Sequence, residues 1–211
     1  MTNAQDERAA LAALLEETGP DGPTLCEGWQ TRDLAAHLVL RERRPDAAVG
    51  VMGGPLAPYT ARVQQQFLDR YSYQDLVTQF RSGPPRLSPF AITALDEAAN
   101  AVEYFVHHED VRRASAGDWT ERELSPAMSE LLWKRLKSAR LLLRSAPAGI
   151  VLAREHNGKL DLIIAKTAAP TVTVTGSPAE LTLWSMGRTS ASHVALDGPP
   201  GAVETLSAWR C

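Results

Sequence analysis

The feature that most constrains this chain is a change in the period of its apolar residues near Pro147. Before it, leucine, alanine and valine recur three or four positions apart, which puts them on one face of an α-helix. After it come short runs, GIVLARE, LDLIIAK and TVTVTG. The first two flank Asn157-Gly158, a pair suited to a hairpin turn because both residues tolerate positive φ. A helical pattern and a strand pattern cannot substitute for one another. The chain is therefore expected to be mainly α, with a helical domain over residues 1–147 and a small α+β domain over residues 148–211. Its 211 residues leave room for both.

Local signals divide the first part into helices. Leu11, Leu14 and Leu15 mark a helix over residues 4 to 17, ended by Gly19 and Pro20. After the loop GPDGPTLCEGW, Thr31 reads as the N-cap of a second helix, with Asp33 in its first turn and Pro45 as its stop. A Gly/Pro loop over residues 50 to 58 precedes a helical stretch from 60 to 82 with a break near Tyr71 and Ser72. A long helix is expected over 89 to 115, with Ala94, Leu95, Ala98, Ala101, Val102, Phe105 and Val106 as its apolar positions and Gly117 and Asp118 closing it. Ser125-Pro126 should open another that runs to about residue 144, through Leu136, Leu141 and Leu142. In the second part, TVTVTG is a third strand, Ser177 and Glu180 read as a capping box, VALDG as a last strand and residues 201 to 209 as a last helix.

Composition narrows the function classes. A net charge of −3 with scattered arginines gives no basic surface for nucleic acid or an anionic membrane. The acidic, amphipathic start lacks the pattern of a signal peptide, and no apolar run is long enough to span a bilayer. The two cysteines, Cys26 and Cys211, form no disulfide framework, so a reduced cytoplasmic compartment is the default expectation. GxSxG and GxxxxGK[ST] are both absent.

What carries chemistry is a set of possible metal ligands. Glu103 and His107 stand at i and i+4 on the long helix, one turn apart on one face, and can offer a carboxylate oxygen and an imidazole nitrogen to one ion. His37, between Leu34 and Leu38 on the second helix, is the best third donor. Three protein ligands leave a tetrahedral ion one open position, the pattern of a catalytic site. Such pairs are also common on solvated faces. His108 competes with His107, and projecting about 100° away it should face outward if His107 faces in. Glu109 and Asp110 suggest a solvated face beyond them. Arg41 lies one turn after His37 on the same face, where it could point at the pocket mouth, although Arg41-Glu42-Arg43-Arg44 reads as a solvated helix end. Cys26 reads as a small buried loop residue beside the apolar anchor Trp29, with a redox thiol or an extra ligand as alternatives. His156 and His193 carry no assigned role.

TLCEGWQTRDLAAHL followed by VEYFVHHEDVRRA resembles the N-terminal metal-binding domain of the mycothiol-dependent maleylpyruvate isomerase group, within the DinB-like superfamily of four-helix bundles. The resemblance is closest to an actinobacterial subgroup described only as metal-binding, and it covers about the first 145 residues. It implies His37, Glu103 and His107 as the ligands, and so selects His107 over His108. VTVTGSPAELTLWSMGR resembles the small sterol-carrier-like α+β domain that follows the bundle in that group.

The resemblance implies a divalent metal, most simply Zn2+, and mycothiol as a thiol cofactor, used in a thiol-dependent isomerase or S-transferase acting on a small electrophile. Nickel, iron and cobalt accept the same donors. Arg188, near the end of the SPAEL helix, is the candidate contact for the cofactor or an anion; its alternative is a cation favourable at a helix C-terminus. The alternatives for the whole protein are a metal-binding module without catalysis and a metal-dependent hydrolase using metal-bound water.

Overall fold

The structure, a computed structural model, describes residues 2–48, 55–85, 93–115 and 119–209. It is mostly helical, with one small sheet in the C-terminal part, and its contacts divide into two units, Met1–Thr120 and Glu121–Cys211. The helix that opens at Ser125-Pro126 thus shares a unit with the sheet. No helix among the described residues is long and apolar enough to cross a membrane.

The first unit contains α1 (Asn3–Thr18), α2 (Thr31–Arg43), the short α3 (Pro45–Ala48), α4 (Ala57–Arg70), α5 (Tyr73–Arg81) and α6 (Thr93–Ser115). The first helix packs along α6 and α5, and α2 packs on α4 and α5. Thr2 and Gln5 form a capping box at the start of α1, and Gly19, at φ 80°, takes the turn that ends it. Ser72 caps α5 by accepting from the Asp75 N–H at 3.1 Å, which fixes the break after Tyr71.

The cap of α2 differs from expectation. Gln30 is the N-cap residue, and its N–H donates to Asp33 Oδ2 at 2.9 Å. Thr31 is buried instead; its hydroxyl donates to Gly19 O and accepts from the Gly22 N–H at 3.1 Å. Its side chain thus ties the preceding loop to the end of α1.

The expectation of a solvated face on α6 is also corrected. His107, His108, Glu109, Asp110 and Arg113 are all buried. Opposite charges and a ring partner them: Glu109 Oε2 lies 2.7 Å from Arg112 Nη2 and 2.6 Å from Arg113 Nε, and the Arg113 guanidinium lies 3.9 Å from the Trp119 ring centre. The reading of Arg41 to Arg44 as a solvated helix end fails at Glu42, which is buried. Its Oε1 pairs with Arg8 Nη2 at 3.0 Å and accepts from the Tyr104 hydroxyl. A buried carboxylate of this kind persists because its counter-charge and hydrogen bonds offset lost hydration. The expected side-chain placements of Ala94, Leu95 and Ala98, and those of Gly117, Asp118 and Cys211, lie outside what the structure describes.

The second unit contains α7 (Pro126–Arg135), 3₁₀ segments at Leu136–Leu141 and Leu143–Ser145, β1 (Gly149–His156), β2 (Lys159–Lys166), β3 (Thr171–Thr175), α8 (Pro178–Ser185), β4 (Ala195–Asp197) and α9 (Pro200–Ala208). The strand order is β2-β1-β3-β4, with β1 and β3 parallel and the other pairs antiparallel. Asn157 and Gly158, at φ 52° and 71°, make the hairpin turn between β1 and β2. Ile150, Leu152, Val172 and Val174 point to one face, where Trp133, Leu136, Leu181, Trp184 and Leu206 cover them.

Two expectations change here. The helix expected to reach residue 144 gives way to 3₁₀ geometry after Arg135, and Leu141 is 67% exposed rather than part of the stripe. Eclipsed i,i+3 side chains in a 3₁₀ turn cannot continue an α-helical stripe. Ser177 does cap α8, accepting from the Glu180 N–H. The reciprocal half of the box is replaced, because Glu180 Oε2 accepts from the His193 N–H at 2.7 Å.

Replacing Arg8 with Met should strand the Glu42 carboxylate in the helical unit. The expected loss is about 3–5 kcal/mol of stability in urea unfolding; a change below about 1 kcal/mol would show that Glu42 does not depend on this partner.

Candidate metal centre

His37 projects from the middle of α2, where Leu34 and Leu38 are buried on either side of it. From α6, Glu103 and His107 face it one turn apart. Both imidazoles turn Nε2 toward one carboxylate oxygen: Glu103 Oε1 is 3.4 Å from His37 Nε2 and 3.1 Å from His107 Nε2. The two rings stand edge to face with centres 5.3 Å apart. The ligand-capable atoms of the three residues all lie within 4.8 Å of one another. Nitrogen and oxygen donors around a tetrahedral zinc ion lie roughly 3.3 Å apart, as its bond lengths require, so the donor set and spacing suit such an ion.

Surrounding residues orient the two histidines. Asp110, three residues after His107 and fully buried, places Oδ2 2.8 Å from His107 Nδ1. With Nδ1 directed at Asp110, Nε2 is the ring atom left facing Glu103. The Cys26 thiol donates to the same Asp110 oxygen at 3.2 Å and lies 3.9 Å from His107 Nδ1. The loop is tethered nearby by the Leu25 N–H, which donates to the Asp110 carbonyl at 3.1 Å. On the other side the Trp29 ring packs on His37 at 5.1 Å between centres. Arg41 completes the surround: Nε lies 3.4 Å from Glu103 Oε1, and Nη1 donates to Asn100 Oδ1 at 3.3 Å.

These contacts set the charges. Burial is the main influence on His37 and lowers its pKa to about 4, so this ring is neutral at pH 7. Burial opposes the charge of His107 as well, but Asp110, Cys26 and Glu103 outweigh it and raise the pKa well above the usual histidine value. Burial likewise opposes ionisation of Glu103. His107, His37 and Arg41 overcome it and hold the carboxyl well below its ordinary range.

His108 is buried elsewhere, with Nδ1 3.5 Å from Glu7 Oε2 on α1. Arg188 belongs to the second unit. It follows Gly187, at φ 86°, and its Nη1 donates to the Met186 carbonyl at 2.7 Å, so at least part of the guanidinium serves its own helix end. His156 is exposed at the end of β1. His193 comes together with Glu121 and Glu180 in the second unit. Cavities of about 550 and 280 Å3 in the helical unit border Tyr73 and Pro20 and are lined by none of His37, Glu103 and His107.

Sequence reasoning passed over Asp110, Asn100 and the contact between Arg41 and Glu103. For Asp110 a signal existed: a carboxylate three residues after His107 lies on the same helix face. Nothing in the local sequence joins Arg41 to Glu103, because that contact needs two helices to pack.

The family model described as the mycothiol maleylpyruvate isomerase N-terminal domain matches residues 1–129. The chain belongs to this family. No curated protein and no solved structure matches it. The matched span contains all three candidate ligands together with Cys26, Trp29, Arg41 and Asp110.

The two histidines of this family member should titrate apart. In metal-free protein, ring proton shifts should show His37 neutral down to about pH 4, while His107 stays protonated above pH 6.5. In linkage terms, His107 stabilises the metal-free fold most below its unfolded pKa, and that share is lost as pH rises through the folded value. The share of His37 has the opposite sign: present above 6.5 and lost as pH falls toward 4. Two rings titrating together near 6.5 would contradict these environments.

Proposed function

We propose that His37, Glu103 and His107 hold one divalent ion, Zn2+ in the simplest case, and that the protein uses it with a thiol, mycothiol, as an isomerase or S-transferase on a small electrophile. The observation that carries this reading is the convergence of two imidazole Nε2 atoms, from different helices, on one carboxylate oxygen of Glu103. Membership of the mycothiol maleylpyruvate isomerase N-terminal domain family supports the thiol. On the same reading the helical part is a DinB-like four-helix bundle, the C-terminal part is sterol-carrier-like, and the compartment is cytoplasmic. The proposed domain division stays at residues 1–147 and 148–211.

A bound divalent ion would supply Lewis acidity that favours the thiolate form of a coordinated thiol. The protein's own groups have separate tasks. His37, already neutral, offers its lone pair without losing a proton. His107 must give up its proton, which neighbouring Glu103 and Asp110 otherwise retain. Asp110 holds the His107 ring in the orientation that presents Nε2. Glu103 contributes the one anionic donor of the three. In the second unit, Arg188 is proposed as the contact for the cofactor or an anionic group of the substrate.

Elemental mass spectrometry should find roughly one equivalent of metal in the wild type, and its loss in folded His37→Ala, Glu103→Ala and His107→Ala variants. Metal retained in all three would remove the reading. With cobalt as the ion, adding mycothiol should produce a thiolate-to-metal charge-transfer band; one equivalent of cobalt without such a band leaves a metal-binding module that does not use the thiol.

Two finer outcomes follow from the residues around the ligands. Asp110→Asn should weaken metal binding about 10- to 100-fold with the fold retained, as loss of an orienting carboxylate does. Because His107 is protonated at neutral pH in the metal-free protein, calorimetry in buffers of different ionisation heat should show release of roughly one proton per ion bound, with affinity falling as pH drops. Binding with no proton release would show that His107 is not displaced from its proton.

A further inference from the structure

Arg41 reaches from α2 across to α6 one turn after His37. Its side chain is 16% exposed, so most of it is out of water. Nε lies 3.4 Å from Glu103 Oε1, and Nη1 donates to Oδ1 of the buried Asn100. A guanidinium carries five N–H donors, and these two contacts leave several of them over. Nη2 makes no hydrogen bond among the described residues and is not enclosed by protein. The guanidinium is thus fixed on two sides and open on a third.

The charges say what that open side would take. Among the described residues, Glu103 is the one carboxylate within ion-pair distance of Arg41, and Asn100 is neutral. In metal-free protein the two charges balance. The inference rests on the reading of Glu103 as a metal ligand, since on that reading its charge is committed to the ion. Arg41 then keeps a neutral amide as its one undivided partner. A cation held largely out of water without a counter-charge is costly, and an arriving anion relieves the cost. We propose that Arg41 is a carboxylate-binding residue of the metal site, holding a carboxylate of the small molecule that occupies the site with the N–H groups Asn100 and Glu103 leave over. One positive charge on a planar fork suits a carboxylate, whereas a dianionic phosphate would bring more charge than Arg41 offsets. This anion contact lies within the helical unit and does not depend on Arg188 of the second unit.

The test compares thiols on cobalt-loaded protein: 2-mercaptoethanol against mercaptoacetate and 3-mercaptopropionate, which add a carboxylate. The thiolate-to-metal band gives a Kd for each. In the wild type the better carboxylated thiol should bind at least about tenfold tighter than 2-mercaptoethanol, the scale of one charge-assisted contact. Arg41→Gln, with roughly one equivalent of cobalt retained, should bring that ratio close to unity. Arg41→Lys keeps the charge without the planar fork; it should lower the ratio severalfold, and it decides the matter if the glutamine variant fails to fold or to hold cobalt. A wild-type ratio near unity overturns the proposal. So does a ratio that persists in folded, cobalt-loaded variants, which would put the carboxylate on the ion itself. A wild type that takes up no cobalt, or shows no thiolate band, removes the metal-and-thiol reading and this inference together, and cobalt content and the band tell that failure from the others.

Discussion

The Glu103 carboxylate is the group around which the helical unit is organised. It stands against two imidazoles and a guanidinium, and each of those groups comes with its own supports. His107 is held by Asp110, Asp110 by the Cys26 thiol, and the Cys26 loop by a backbone hydrogen bond to α6. Each polar contact offsets the dehydration of the next group, which is how a helix this charged can be buried around most of its circumference. A second network does the same one turn away, where Arg8, Glu42 and Tyr104 join α1, α2 and α6. Packing of the helices is therefore specified by polar pairs as well as by leucines.

That organisation explains which parts were legible in the sequence. Elements whose signals are local came through: the Asn157-Gly158 turn, the Ser177 cap, the Ser125-Pro126 start and the break before Ser72. Most of the failures share one cause. Thr31, Glu42 and Asp110 are residue types that a single helix presents to solvent, and each is buried with a partner from a distant segment, whereas Glu109 is paired by Arg112 and Arg113 of its own helix. Periodicity records the apolar side of a helix and cannot register charges that are neutralised across an interface. The 3₁₀ continuation after Arg135 was hidden for a related reason. Its leucines keep helical spacing in sequence, and only the packing against β2 shows that Leu141 leaves the stripe.

The candidate site was legible to a different depth. The Glu-x3-His spacing put Glu103 and His107 on one face by helix geometry alone, and His37 was placed by its apolar neighbours. What spacing could not convey was protonation. Two histidines of equal intrinsic basicity end up with opposite shifts because burial dominates at His37, where only the shared carboxylate opposes it, whereas His107 lies between two carboxylates. The pair is thus unequal before any ligand arrives, with one ring ready to donate and the other holding a proton that binding must displace.

Counting formal charge around this centre bears on what the proposed site would accept. Glu103 and Asp110 bring two negative charges and Arg41 one positive charge, with both histidines neutral once they serve as donors. A divalent ion then leaves one net positive charge in a largely dehydrated setting. There a fourth ligand carrying negative charge is favoured over a neutral one, since Coulomb interactions in a protein interior are several times stronger than in water. Arg41 matters most in this sum. Without it the centre would be neutral, and the preference for an anion such as a thiolate over a neutral thiol would rest on the ion alone. Its guanidinium also contacts Asn100 as well as Glu103, so it is held in place by α6 and can contribute its charge without folding away toward solvent.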